Sequence, residues 1–166
     1  MLATAYYASR QPLTGVLARW ENMHPIADTW GNWLRSFPWT MYAHLTFKTR
    51  HGEVAAMGMV RKLHHRMNRW TLGVHYYKRR EGVRCFVAVE HTVEGAIHLH
   101  LLADEVDVRC MRKAADYWKR CGGNAEVKLY NPELPGTFYV SKLYRNDDAA
   151  NVHLLGQWTK DTNVPA

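Results

Sequence analysis

The sequence predicts an α+β protein with an antiparallel sheet of about five strands and helices packed mainly on one face. Two observations lead to this prediction. Segments with strand and helix patterns alternate in the order strand, helix, strand, hairpin strand, helix, strand. The chain has 166 residues, of which 47% are hydrophobic, and this is enough for one packed core. We therefore expect a single domain over residues 1–166.

The first part of the chain contains an arm, a short helix and the first strand. Residues 1–24 are predicted to be irregular or weakly helical. A short helix is predicted over Asp28–Phe37, because Asp28 suits the N-cap position and Pro38 stops the helix. Met41–Lys48 alternates in part and is rich in strand-forming residues, so we expect a strand there.

The clearest amphipathic helix is predicted over Glu53–Trp70. Its apolar residues recur near helical spacing, at Val54, Met57, Val60, Leu63, Met67 and Trp70. Its other face is basic and contains Arg61, Lys62, His65, Arg66 and Arg69. This face is either an ordinary solvated surface or a DNA-binding stripe formed by Arg61, Lys62, Arg66 and Arg69.

Two strands, Arg84–His91 and Ala96–Leu102, are predicted to form a hairpin. A three-residue loop ending at Gly95 suits the connection, because glycine can adopt the left-handed conformation at that position. This register places Glu90 beside His98 on the same face of the sheet, and a slip of one residue would move Glu90 to the other face. The full register pairs Thr92 with Ala96, Glu90 with His98 and Ala88 with His100.

The remaining elements are shorter or less regular. Val74–Arg79 is predicted as a short strand, and Ala125–Tyr130 alternates as a strand does. A second helix is predicted over Asp107–Arg120, ended by the two glycines that follow. Thr137–Arg145 is predicted as a helix that opens with threonine as its cap. The tail, residues 146–166, is expected to dock as a helix or a strand, or to mediate self-association.

The composition of the chain indicates the class of its binding partner and the cellular compartment in which it works. The formal net charge is +7 and the pI is about 9.5, which favours an anionic partner such as nucleic acid. The three cysteines are odd in number and lack CxxC spacing, so we expect no disulfide framework and a reducing cytosol. No apolar run is long enough for a membrane span, and residues 1–10 lack a continuous apolar signal region.

Glu90, His98 and His100 form a candidate metal-binding set. His98 and His100 alternate with apolar residues on one strand, so they share a face at a spacing of about 7 Å. Two imidazoles and one carboxylate suit Mn²⁺, and also Mg²⁺ or Zn²⁺, and leave positions open for a phosphate oxygen. On the strands alone, a pair of ordinary packing or surface histidines is an equal alternative.

Tyr139 and Lys142 are candidate catalytic residues. On the predicted helix they are three residues apart and share a face. A tyrosine hydroxyl has a pKa of about 10 and needs a nearby cation or base to react as the phenolate. Lys142 can stabilise the phenolate or the charge that develops on a phosphate. Tyr144 is an alternative nucleophile, and either tyrosine taken alone is also consistent with an ordinary packing role.

Three segments resemble the ordered motifs of HUH endonucleases, namely AHLTF (43–47), IHLHLL (97–102) and YVSK (139–142). The match is to the replication-initiator (Rep) branch, which has one catalytic tyrosine. The resemblance covers about residues 40–145, between an N-terminal part (1–39) and the tail (146–166). It implies a five-stranded antiparallel sheet with a ferredoxin-like core, and a metal bound by Glu90, His98 and His100.

The resemblance also implies an activity. A divalent cation, Mn²⁺ or Mg²⁺, would polarise a scissile phosphate in single-stranded DNA at a replication origin, and Tyr139 would attack it. The product would be a 5′-phosphotyrosine adduct and a free 3′-hydroxyl that primes rolling-circle replication. The expected setting is the cytosol of a prokaryotic host, with the helicase and polymerase of the host as partners, for a plasmid or a single-stranded DNA virus or phage.

Several alternatives stay open. Relaxases of the same superfamily place the tyrosine near the N-terminus, where Tyr6 and Tyr7 lie, and single-tyrosine transposases typically have glutamine where this chain has Leu143. A non-catalytic binder of single-stranded nucleic acid and a metal-dependent hydrolase that uses water are further possibilities. Five other histidines are predicted to be surface or packing residues, namely His44, His64, His65, His75 and His91. His91 is excluded as a ligand because it faces away from Glu90.

Overall fold

A five-stranded antiparallel sheet organises the computed structural model, which describes residues 25–79, 81–133 and 151–158. Its strands are β1 (Trp39–Thr46), β2 (Cys85–His91), β3 (Ile97–Asp104), β4 (Ala125–Leu129) and β5 (Asn151–Leu155), in the spatial order β4-β1-β3-β2-β5. The helices are α1 (Pro25–Arg35), α2 (Glu53–Leu72) and α3 (Val108–Cys121). The predicted α+β class with about five antiparallel strands is therefore confirmed.

The two faces of the sheet are covered differently. Apolar residues of α2 and α3, among them Leu63 and Trp118, pack on one face of β1, β2 and β3 and form the main core. On the other face, Leu34 of α1 packs with Phe86 and Leu102 in a smaller core. Two of the three described helices thus share one face, as predicted. No helix in the described ranges has the length and apolar character needed to cross a membrane.

The amphipathic pattern of α2 is confirmed except at its start. Met57, Val60, Leu63 and Met67 are buried, and Trp70 is partly buried against the core. Val54, however, is 87% exposed. It lies in the first turn of the helix, and Ala56 and Met57 make the first buried contacts instead.

The predicted hairpin and its register are confirmed. Glu90 lies opposite His98 and Ala88 lies opposite His100. Gly95 has a φ of 76°, the left-handed conformation that glycine adopts most readily. The turn is closed by the amide of Thr92, which donates to the carbonyl of Ala96 over 2.8 Å.

The predicted strand over Val74–Arg79 is wrong. The chain turns after α2 at Gly73, whose φ is 86°, and then forms a short 3₁₀ helix over Tyr76–Arg79. Local hydrogen bonds already satisfy this backbone, for example from the Lys78 amide to the His75 carbonyl and from the Glu81 amide to the Tyr76 carbonyl. A segment whose polar groups are satisfied locally gains little from joining a sheet edge.

The two ends of the chain are described in part. In the tail, Asn151–Leu155 forms β5 and pairs with β2, so this segment docks as a strand rather than as a helix. The predicted arm over residues 1–24 and the predicted helix over Thr137–Arg145 lie outside the described residues.

The N-terminus of α3 is capped by Asp107. Its carboxylate accepts a hydrogen bond from the amide of Cys110 over 2.7 Å. Replacing an N-cap aspartate by alanine typically costs about 1 kcal/mol, because the freed amide loses its acceptor. We therefore expect Asp107→Ala to lower the free energy of unfolding by about 1 kcal/mol in urea denaturation.

The matched control is Asp116→Ala, which removes an exposed aspartate from the interior of the same helix. We expect this variant to stay within about 0.5 kcal/mol of the parent, as is usual for surface substitutions. Equal losses in the two variants would show that the effect comes from helix charge rather than from the cap.

Candidate functional site

Polar side chains gather on the face of the sheet that α1 covers in part. Because side chains alternate along a strand, Tyr42, His44, Glu90, His98 and His100 all point to this face. In register, His44 lies opposite His100, and His98 lies opposite Glu90. Three neighbouring strands, β1, β3 and β2, thus bring these residues together in the centre of the sheet.

His100 makes a close contact at each of its two ring nitrogens. Its Nε2 atom lies 3.0 Å from Oε2 of Glu90, and its Nδ1 atom shares a 3.0 Å hydrogen bond with the hydroxyl of Tyr42. The His100 side chain is only 8% exposed, and that of Glu90 is 23% exposed. The imidazole is therefore held at both nitrogens, with the carboxylate on the more open side.

His44 also belongs to the group, although it was not among the predicted metal ligands. Its ring stacks on that of His100 at a centroid distance of 4.9 Å and meets His98 edge-on at 5.2 Å. These ring contacts agree with the prediction that His44 is a surface or packing residue, and they place it within the polar group. Its even spacing from Tyr42 and Thr46 indicates a shared face, but not which strand lies beside it.

Tyr42 was also not predicted from the sequence as a member of the site. Its surroundings set the pKa of its hydroxyl and so its chemical role. Burial, followed by the nearby carboxylates of Glu126 and Glu90, raises the pKa of Tyr42 to about 12. The phenol is therefore protonated at neutral pH, and Tyr42 is a poor candidate for a phenolate nucleophile. It is suited instead to hold His100 by a hydrogen bond.

The donor atoms fit a divalent cation in part. Two ligands about 2.1 Å from an octahedral ion lie about 3 Å apart when they are adjacent, which matches the distance between Glu90 and His100. His98 faces Glu90 across the strand pair. Within residues 25–79, 81–133 and 151–158, no three His, Cys, Asp or Glu side chains are close enough to hold an ion as they stand.

An open depression of about 200 Å³ borders the site where β1 ends and β3 begins. His98 lines it, together with Thr46 and the basic residues Lys48 and Arg50. Two cations beside a histidine cluster are suited to contact phosphate oxygens. Neither residue was among the candidate site residues predicted from the sequence.

The other predicted site residues lie elsewhere. Arg61, Lys62, Arg66 and Arg69 are exposed on α2, whose apolar side packs on the opposite face of the sheet, so the structure does not bring them to the histidine cluster. His91 faces away from Glu90, as predicted, and its Nε2 lies 3.9 Å from the carboxylate of Glu53. Tyr139, Lys142 and Tyr144 lie outside the described residues.

Comparisons with known proteins returned no match: no family model, no curated protein and no solved structure is significantly similar to this chain.

Proposed function

We propose that the chain is a metal-dependent single-stranded DNA endonuclease and strand transferase that nicks a replication origin through a 5′-phosphotyrosine intermediate. The observation that carries this proposal is the contact between Glu90 and His100, with His98 opposite Glu90 on the same face. The resemblance of the three ordered motifs to those of HUH endonucleases supports the same activity. The fold, an antiparallel sheet with its polar cluster on the central strands, is compatible with it.

The ligands of the proposed cation are Glu90, His98 and His100. His98 would join the other two by a side-chain rotation, since it already projects from the same face. Tyr42 would accept a hydrogen bond from Nδ1 of His100 and so leave the Nε2 lone pair available. When bound, a Mn²⁺ or Mg²⁺ ion supplies Lewis-acid polarisation of the scissile phosphate.

The surroundings of the cluster favour a nucleic-acid strand as substrate. Lys48 and Arg50 lie in the depression beside His98 and can contact phosphates next to the one that reacts. The cluster itself is partly exposed at Glu90 and His98, so an extended strand can reach it from the face of the sheet. These contacts would position the scissile phosphate over the histidines.

The proposed reaction exchanges a phosphodiester bond of the DNA for a phosphotyrosine bond of similar energy. The Tyr139 oxygen attacks the phosphorus and forms a phosphotyrosine bond, while the bond to the 3′ oxygen breaks and that oxygen takes up a proton. Lys142 stabilises the phenolate or the developing charge. A later attack by a 3′-hydroxyl on the adduct rejoins the strand and restores the tyrosine, so no nucleotide cofactor is consumed.

A covalent-adduct assay tests the proposal. The protein is incubated with Mn²⁺ and a pool of single-stranded oligonucleotides of random sequence that are labelled at the 3′ end, then run on a denaturing protein gel. We expect a labelled protein band that EDTA abolishes. Cleavage without a labelled band would indicate a hydrolase that uses water, and binding without cleavage would indicate a non-catalytic binding module; either result overturns the proposal.

The hydrogen bond between Tyr42 and His100 gives a further prediction. We expect Tyr42→Phe to weaken Mn²⁺ binding by roughly 10- to 100-fold, because groups that orient a ligating histidine typically contribute this much to affinity. Titration of Mn²⁺ followed by electron paramagnetic resonance measures the change directly, without any requirement for activity.

The matched control is Tyr76→Phe, which removes a 2.7 Å hydrogen bond between a tyrosine hydroxyl and His65 on the other side of the molecule. This variant should bind Mn²⁺ as the parent does. If both variants retained the parent affinity, the orienting role of Tyr42 would be wrong.

A further inference from the structure

The positive charge of this protein is concentrated in two helices. Together, α2 and α3 contain nine Lys and Arg residues and two acidic residues, a net charge of +7. This equals the formal net charge of the whole chain, so the rest of the sequence is electrically balanced. The two helices contact each other and pack on the same face of the sheet.

All nine of these basic side chains are exposed. Salt bridges between described residues use other cations, namely Arg79, Arg84 and Lys128, so none of the nine is neutralised by a described carboxylate. The basic helix layer, as we call this surface, consists of Arg61, Lys62, Arg66, Arg69, Arg109, Arg112, Lys113, Lys119 and Arg120.

The charges form rows along each helix. Lys62, Arg66 and Arg69 follow an i, i+4, i+7 spacing on α2, and at 1.5 Å per residue they extend over about 10 Å. On α3, Arg109 and Arg120 are separated by about 16 Å along the axis by the same rise per residue. Two adjacent rigid rows of cations are suited to an extended, regularly spaced polyanion.

The aromatic rings of the basic helix layer are buried or only partly exposed, and cations of the layer lie over two of them. Arg66 covers the ring of Tyr117 at 4.6 Å, Lys113 lies 6.0 Å from that of Trp70, and Trp118 is fully buried. Binders of single strands combine basic grooves with exposed aromatic rings on which bases stack. A surface of cations whose neighbouring rings are partly buried and covered by Arg66 and Lys113 instead favours a double helix. A double helix presents one phosphate charge per 1.7 Å of axis, on the order of twice the density of a single strand.

A membrane surface or an apolar partner is disfavoured by the same observations. Among the large hydrophobic residues of α2 and α3, the exposed ones are Val54 and Val108, each in the first turn of its helix. Binding in a membrane interface requires a broad apolar helix face, and here the apolar faces of both helices are buried in the main core.

We propose that the basic helix layer binds the phosphate backbone of double-stranded DNA, on the face of the sheet opposite the histidine cluster. This goes beyond the proposed strand cleavage, because duplex binding here needs neither the cation nor a reactive tyrosine. It predicts two separate nucleic-acid surfaces on one small domain, with a duplex on the helical face and a single strand on the polar sheet face.

The test measures binding of a 24-base-pair DNA duplex of random sequence by fluorescence anisotropy, in EDTA, over a range of salt concentrations. The variant Lys62→Gln/Arg112→Gln removes one charge from each helix and spares Arg66 and Lys113, which cover aromatic rings. We expect duplex affinity to fall by roughly tenfold. We also expect the slope of the logarithm of the binding constant against the logarithm of the salt concentration to fall in magnitude by about 2, since each lost phosphate contact lowers it by about 1.

The matched control, Arg35→Gln/Lys78→Gln, removes two exposed charges outside the layer. We expect it to bind the duplex within about twofold of the parent, and we expect the layer variant to lose much less affinity for a 24-nucleotide single strand than for the duplex. Absence of duplex binding by the parent protein, equal losses in the two charge variants, or equal losses for duplex and single strand would each overturn the proposal. Circular dichroism establishes that both variants are folded.

Discussion

Tyr139→Phe is expected to lower formation of the covalent protein–DNA adduct by at least about a thousandfold, because the phenyl ring has no oxygen with which to form the phosphotyrosine bond. The proposed metal ligands Glu90, His98 and His100 are unchanged in this variant, so cation binding should be retained. The adduct assay on a denaturing gel and a parallel Mn²⁺ titration measure the two quantities separately.

Tyr144→Phe is the matched control, since it removes a second tyrosine hydroxyl from the same segment of the sequence. At 3.6 residues per turn the two tyrosines would lie about 140° apart on a helix, so they cannot both reach one phosphate. We expect Tyr144→Phe to form the adduct at the parent rate. The opposite result, loss in Tyr144→Phe and retention in Tyr139→Phe, would assign the nucleophile to Tyr144.

Persistence of the adduct in both tyrosine variants would contradict the assignment of either residue. Tyr42 is not an attractive replacement, because its pKa of about 12 leaves it protonated at neutral pH. In that case Tyr6 and Tyr7 would be tested next, as the relaxase-like alternative predicts a nucleophile near the N-terminus.

Gly123→Ala is expected to destabilise the fold by at least about 3 kcal/mol, a large effect for one methyl group. A Cβ atom at Gly123 would lie 2.0 Å from the carbonyl oxygen of Thr46 and 2.7 Å from Cα of Phe47, both of them backbone atoms. The chain after α3 and the end of β1 would therefore have to separate. Urea unfolding followed by tryptophan fluorescence measures the loss.

The same displacement should reach the candidate site. The carbonyl of Thr46 accepts a hydrogen bond from the indole of Trp118 over 2.9 Å, and Thr46 itself lies opposite His98 in the sheet. Movement of this carbonyl would break the bond to a fully buried tryptophan and shift the end of the strand that contains His44. We expect weaker Mn²⁺ binding in this variant even under conditions where it remains folded.

Gly58→Ala is the control for Gly123→Ala, and it should change the free energy of unfolding in the opposite direction. Gly58 lies in the interior of α2, and no atom lies within 4 Å of a Cβ placed there. Alanine in a helix interior is more favourable than glycine by roughly 0.5–1 kcal/mol, so this variant should be slightly more stable than the parent. A free energy of unfolding for Gly123→Ala within 1 kcal/mol of the parent would contradict the close approach.

Much of the fold follows from local patterns in the sequence. Alternation and a glycine turn predicted the hairpin and placed Glu90 opposite His98, and the structure confirms both. Helical periodicity predicted α2 and α3 to within a few residues of their observed ends. The reason is physical, because the periods of 2 and 3.6 residues and the conformational freedom of glycine act within a single element or between neighbours in the chain. Thus the sequence by itself determined most of the strands and helices, except at Val74–Arg79 and at β5, together with the pairing of β2 with β3 and three members of the candidate site, Glu90, His98 and His100.

Only the tertiary structure decided which strands pair across the sheet and which face of the sheet each helix packs on. His44 is separated from His100 by 56 positions in the sequence, and its place against that ring depends on β1 pairing with β3 rather than with β2. The basic face of α2 was visible as a pattern, but packing put it on the opposite side of the sheet from Glu90 and His100. Periodicity tells which residues of an element share a face, whereas the burial of apolar surface across the whole chain selects the neighbours of that face.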